Sequence, residues 1–92
     1  MNMSRQEMAA VLVRALGLEE EAGLMSDVEV ESLLAFKDSS EISPWARKYV
    51  AAAVKHGLMK GNPDGTFRPK DFTRRDQAAV VIFRLLEQKG RI

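Results

Sequence analysis

Three times in this 92-residue chain a Ser or Thr is followed three residues later by Glu or Asp: Ser4…Glu7, Ser26…Glu29 and Thr73…Asp76. A hydroxyl at a helix N-cap accepts from the N3 amide, and an N3 carboxylate answers the cap's own N–H, with Glu the better partner. Each signal therefore predicts a helix start. The first opens a helix over 4–16, with Met8, Val11, Leu12, Ala15 and Leu16 at helical spacing and Gly17 placed for a left-handed C′. The second opens a shorter, acidic and weakly patterned helix over about 27–35. The third opens a helix over about 73–88, whose Val80, Val81, Phe83, Leu85 and Leu86 make a nearly continuous apolar surface.

A fourth helix starts differently, with Ser43 as cap and Pro44 at N1, where the missing N–H costs nothing. It runs to His56 and ends at Gly57, with Trp45 and Tyr49 as i,i+4 neighbours on one face. Between this helix and the last, Asn62-Pro63-Asp64-Gly65 reads as a tight turn flanked by extended pieces too short for a real sheet. The predicted fold is all-α: a small domain of about four helices with one ordered, β-like turn.

Size and composition bound the rest. At 92 residues roughly 60–65% of the unfolded surface can be buried, so one modest core is the ceiling. The apolar fraction of 46% and charged fraction of 29% are those of a globular chain rather than a disordered one. No window approaches the roughly 18 apolar residues of a membrane span, and the N-terminus carries no apolar signal-peptide region. With no cysteine and one histidine, His56, disulfides, thiolate nucleophiles, cysteine zinc sites and multi-histidine metal sites are excluded. His56 near a helix C-terminus reads as a dipole partner. No nucleophile–base–orienter set can be assembled, so no enzyme activity and no cofactor are expected. Asn62-x-Asp64-Gly65 faintly suggests a calcium loop, but Thr73 stands where the bidentate Glu is needed, and calcium is rejected.

The net charge of +1 conceals a strong asymmetry. Residues 1–42 hold three basic and nine acidic residues, a net of −6; residues 43–92 hold eleven basic and four acidic, a net of +7.

The chain also repeats itself. Residues 4–16 align with 73–85 without gaps: Arg5/Arg74, Ala9/Ala78, Ala10/Ala79, Val11/Val80 and Leu16/Leu85 are identical. Capped apolar helices resemble one another by chance, but the first turn of a helix favours acids. An arginine directly after both caps suggests a task other than helix stability. The expected organisation is 1–17 as the last helix of a partial repeat, 18–35 as an acidic linker with a short helix, and 36–92 as a complete repeat.

Phe36-Lys37-Asp38, Trp45-Ala46, Gly57, the run Gly61–Pro69 with its Asp64-Gly65-Thr66-Phe67, and Thr73-Arg74-Arg75-Asp76 together resemble the S-layer homology domain. Two departures stand out: Arg75-Asp76 replaces the family's usual Ala-Glu, and the first copy reads Ser-Arg-Gln-Glu. Both copies keep the arginine. The resemblance implies non-covalent attachment of proteins to the bacterial cell envelope. The implied ligand is an anionic secondary cell-wall polysaccharide, often pyruvylated, bound in grooves between adjacent repeats. It also implies a cell-surface location for a secreted parent.

The candidate ligand residues each carry a plainer alternative. Arg74, and Arg5 as its counterpart, would offer a bidentate fork beside free helix amides to a ligand carboxylate. Arg74 could instead be a solvated arginine or pair with Asp71 or Asp76. Trp45 could stack on a sugar, but core anchor is the default for a sole tryptophan. Asp38 could bond sugar hydroxyls or cap the loop at Ser39-Ser40. Asp64 lies in the turn motif with Gly61 and Gly65; the glycines would admit a close ligand approach, or simply serve the turn.

Three function classes follow. The first is carbohydrate anchoring. The second is self-assembly, the acidic segment of one chain docking on the basic segment of the next, or helix exchange into a homo-oligomer; association with neighbouring repeats belongs here too. The third is nucleic-acid binding through Arg68, Lys70, Arg74 and Arg75. Against it stand a pI of about 8.1 and the absence of aromatic–basic interleaving.

Overall fold

The computed structural model describes residues 2–74. A short strand β1 (Asn2–Ser4) leads directly into helix α1 (Arg5–Ala15), followed by α2 (Glu19–Gly23) and α3 (Asp27–Leu33). Two 3₁₀ turns (Ser39–Glu41 and Pro44–Ala46) lead into α4 (Arg47–Lys55), and strand β2 (Phe72–Arg74) closes the described segment. The fold is all-α, with β1 and β2 as a three-residue antiparallel ladder: Asn2 faces Arg74, Met3 faces Thr73 and Ser4 faces Phe72.

The local signals account for the helix ends. Ser4 Oγ accepts from Glu7 N at 3.2 Å, and Glu7 Oε1 accepts from Ser4 N at 2.9 Å, a complete capping box. The carboxylate is held below the usual range by those Ser4 hydrogen bonds, backbone first. Ser26 Oγ likewise accepts from Glu29 N at 3.2 Å and starts α3. α1 and α4 end in the same motif. Gly17 N donates to Arg14 O and Leu18 N to Val13 O, while Gly57 N donates to Val54 O and Leu58 N to Ala53 O. Both glycines sit at φ +71°, the left-handed conformation that this ending requires.

α1, α2 and α3 all pack on α4, and α1 also touches α2. Ala51, Ala52 and Ala53 of α4 are buried, and their small side chains let neighbours approach closely. The buried face of α1 is Met8, Ala9, Leu12, Val13 and Leu16. Val11 and Ala15, assigned to the apolar face from their spacing, turn outward instead. The buried stripe is therefore rotated toward Ala9 and Val13, both fully buried.

Three further differences from expectation have clear causes. Residues 18–35 are packed structure: α2 is an additional helix, and Ala22, Met25, Val30 and Leu34 belong to the core. Ser43 does not cap through its side chain; its Oγ accepts from Gln6 Nε2, and its N–H donates to Gln6 Oε1, both at 3.0 Å. This pairing satisfies an amide that is only 7% exposed. Arg74, expected as the first residue of the last helix, has extended backbone paired with Asn2 of β1; Thr73, the expected cap, is extended as Ser4 is at its own cap. The rest of that expected helix lies outside the described residues.

Among the described residues, part of the charge asymmetry is paired within the chain. Lys55 pairs with Glu29 at 3.4 Å and Glu21 at 3.7 Å, His56 Nε2 lies 2.9 Å from Glu21, and Arg47 pairs with Glu31. Tyr49 donates to Glu19 and accepts from Arg14. The acidic helices α2 and α3 are thus matched to the basic residues of α4 and its end.

Candidate functional site

The loop after α4 is shaped by local chemistry. Gly65 N donates to Asn62 O at 3.0 Å, closing the expected turn with Gly65 at φ +87°. Asp64 Oδ1 accepts from Thr66 N at 3.0 Å and Thr66 Oγ1 at 2.6 Å. The Thr66 hydroxyl and then its amide hold the Asp64 carboxyl below the ordinary range. Gly61 has a packing reason to be glycine: a Cβ there would overlap the Phe36 ring and come within 3.3 Å of Thr66 O. Phe36 in turn packs at a tilt on fully buried Phe67, with ring centroids 5.3 Å apart and the planes at 39°.

Asp38 is committed to this loop. Its Oδ1 accepts from Phe67 N at 2.9 Å and its Oδ2 from Arg68 N at 2.8 Å, so both carboxylate oxygens serve backbone rather than the Ser39-Ser40 turn. Arg5 holds the loop from the opposite side. Its Nε donates to Phe67 O and its Nη2 to Lys60 O, both at 2.8 Å, and the guanidinium lies 4.7 Å from the Phe67 ring centroid. Partial burial lowers the Arg5 pKa from its ordinary value, opposed by Asp71 and Asp38.

Where the start of α1 meets this loop, a cleft of about 510 Å³ opens. Arg5, Asn62, Pro63, Asp64, Arg68, Asp71 and Phe72 line it. Of the residues singled out from sequence, Arg5 and Asp64 meet here, and Asp38 and Gly61 lie behind the wall. Arg74 is described only by its backbone, paired with Asn2 in β2, and its side chain lies outside what is described. Trp45 lies elsewhere. It is 53% exposed, not the core anchor expected by default, and with Pro44, Lys48 and Tyr49 it lines a separate groove of about 390 Å³. Arg68, Asp71 and Phe72 were missed as cleft residues. Asn62, Pro63 and Asp64 lie near them in sequence, but the opposite wall is Arg5, more than 60 residues away, and no local pattern shows that it closes a cleft over them.

The model of the S-layer homology domain matches residues 35–79, which contain the turn, the Asp38 clamp and β2. Those residues belong to the S-layer homology family. S-layer homology domains anchor surface proteins to the cell wall, and a cell-surface location accompanies them. Among curated proteins, the chain is 37% identical over 92 residues to a cellulosome-anchoring protein of Acetivibrio thermocellus, covering 99% of this chain and 19% of that protein. It is also 37% identical over 93 residues to an amylopullulanase of Thermoanaerobacterium thermosulfurigenes, covering 99% of this chain and 5% of the enzyme. An endoglucanase of a Bacillus strain is 43% identical over 86 residues, 92% of this chain and 9% of the enzyme. The chain therefore spans a small part of each relative. No solved structure matches it significantly.

Proposed function

We propose that this chain is a non-catalytic anchoring module that binds an anionic, carboxylate-bearing secondary cell-wall polysaccharide, in the cleft between the start of α1 and the 60–72 loop. The observation that carries the reading is that cleft: about 510 Å³, two guanidinium groups, two carboxylates, an amide and the apolar faces of Pro63 and Phe72. A mixed lining of this kind suits a charged sugar, whose carboxylate needs a fork and whose hydroxyls need acceptors. Two relatives named as carbohydrate-active enzymes and one named as an anchoring protein share the same short stretch, which supports an attachment role separate from catalysis.

Arg5 and Asp64 contribute from the cleft; Asp38 and Gly61 act by holding the loop. Arg74 is assigned to the ligand by its motif, and Trp45 offers an exposed ring in the second groove. Co-sedimentation with purified bacterial cell-wall sacculi tests the reading. Binding should weaken as salt rises and fall in Arg74→Ala. Retention by peptidoglycan stripped of its secondary polysaccharide would overturn the choice of ligand.

Self-assembly is the second reading, favoured by Leu24 and Val28, which are 80% and 81% exposed on the α2–α3 side. Sedimentation at high concentration and low salt separates the two, since a monomer that still binds sacculi leaves anchoring alone. A nucleic-acid partner draws no support from the cleft, where Asp64 and Asp71 face the arginines.

A further inference from the structure

Arg5 is poorly placed to receive a ligand carboxylate with its full fork. Its Nε and Nη2 are spent on Phe67 O and Lys60 O, which leaves Nη1. Arg68 has the opposite character. Its side chain is 56% exposed, and it makes only long ion pairs, 3.6 Å to Asp64 Oδ2 and 3.7 Å to Asp71 Oδ2. Among the described residues none accepts a hydrogen bond from its guanidinium, so only these two long ion pairs hold the fork at the cleft wall.

The backbone at Arg68 is unusual as well. Its φ is +57°, the one positive φ at a non-glycine residue in the described chain. It also precedes Pro69, a setting that normally forces extended backbone. Left-handed backbone at a bulky residue persists only where the surroundings impose it, and such sites cluster where ligands are held. Here the imposition is visible: Asp38 Oδ2 accepts from Arg68 N, and Asp71 N donates to Arg68 O at 3.2 Å.

We infer that Arg68 is the ligand-facing cation of the cleft, receiving the carboxylate of an acidic sugar, while Arg5 is the strut that holds the loop in place. This rests on the anchoring reading above. Asp64 and Asp71 balance Arg68 loosely; a ligand carboxylate takes their place on the fork at hydrogen-bond distance. Asp71 and Asn62 are then free to accept from sugar hydroxyls, and Phe72, 72% exposed, and Pro63 offer an apolar face to the ring.

The test uses a substitution in which folding and binding move apart. Arg68→Gly removes the side chain while supplying the residue that φ +57° prefers, so its unfolding midpoint should equal or exceed that of the parent chain. Arg68→Gln keeps the backbone demand and removes the charge. Both should bind sacculi about tenfold more weakly at low salt, the loss expected for one charge-assisted fork. The deficit should shrink as salt rises. Amidating the polysaccharide carboxylates should reduce the parent chain to the level of the variants. Parent binding that survives amidation would overturn the carboxylate assignment. Variants that bind like the parent would overturn the role of Arg68 and leave the anchoring reading standing. A parent chain that fails to bind sacculi would overturn both.

Discussion

Asp38 and Phe67 are joined across 29 positions of sequence by a 2.9 Å hydrogen bond from the Phe67 amide to the Asp38 carboxylate, and the second carboxylate oxygen takes the next amide, that of Arg68. A short side chain thereby fixes the path of a loop that has no regular structure of its own. Asparagine at position 38 keeps one acceptor and turns an NH₂ toward the other amide. Asp38→Asn should cost about 2 kcal/mol in urea unfolding. It should also weaken sacculus binding through loosening of the loop, with no change in salt dependence.

Arg5 is a fork that lysine cannot imitate. Two donors at fixed spacing reach two carbonyls while the guanidinium plane lies over Phe67. Arg5→Lys should lose about 2 kcal/mol of stability despite keeping the charge, as read from the denaturant midpoint. A variant as stable as the parent would show that Arg5 is not a strut.

Gly61 admits the Phe36 ring. Gly61→Ala should destabilise by about 1–3 kcal/mol through overpacking. Pairing it with Phe36→Leu should recover part of the loss, and additivity in the double variant would count against a direct clash.

Acid stability should report on two small motifs. Glu7 and Asp64 both have carboxyl pKa values below their ordinary ones, through hydrogen bonds from Ser4 and Thr66. A depressed folded pKa means that the unfolded chain binds more protons in the window between the two values. The resulting stability is present in full above the unfolded values, about 4.3 and 3.9, and is lost as pH falls toward the folded ones. Ser4→Ala keeps the backbone N–H to Glu7 and should cost about 1 kcal/mol near neutrality through the lost cap. Glu7→Gln removes the titrating carboxyl and should flatten this acid limb in a pH series of thermal melts. An unchanged limb would show that the Ser4–Glu7 box does not contribute to it.

The sequence by itself determined the features whose partners lie within one turn of chain. The Ser4 and Ser26 caps, the Gly17 and Gly57 endings and the Asn62–Gly65 turn need only their immediate neighbours, and each is present where the pattern put it. The motif from Phe36 to Thr73 also carried the family. Tertiary structure alone decided the cleft. Arg5 finds Lys60 and Phe67 across 55 and 62 residues, and Gln6 finds Ser43 across 37. In the packed molecule Val11 faces outward, Trp45 is half-exposed and the start of α1 lies against the loop. Capping and turn formation are satisfied by backbone geometry within a few residues. Which distant carbonyl an arginine reaches depends on how helices pack, and that information is spread over the whole core.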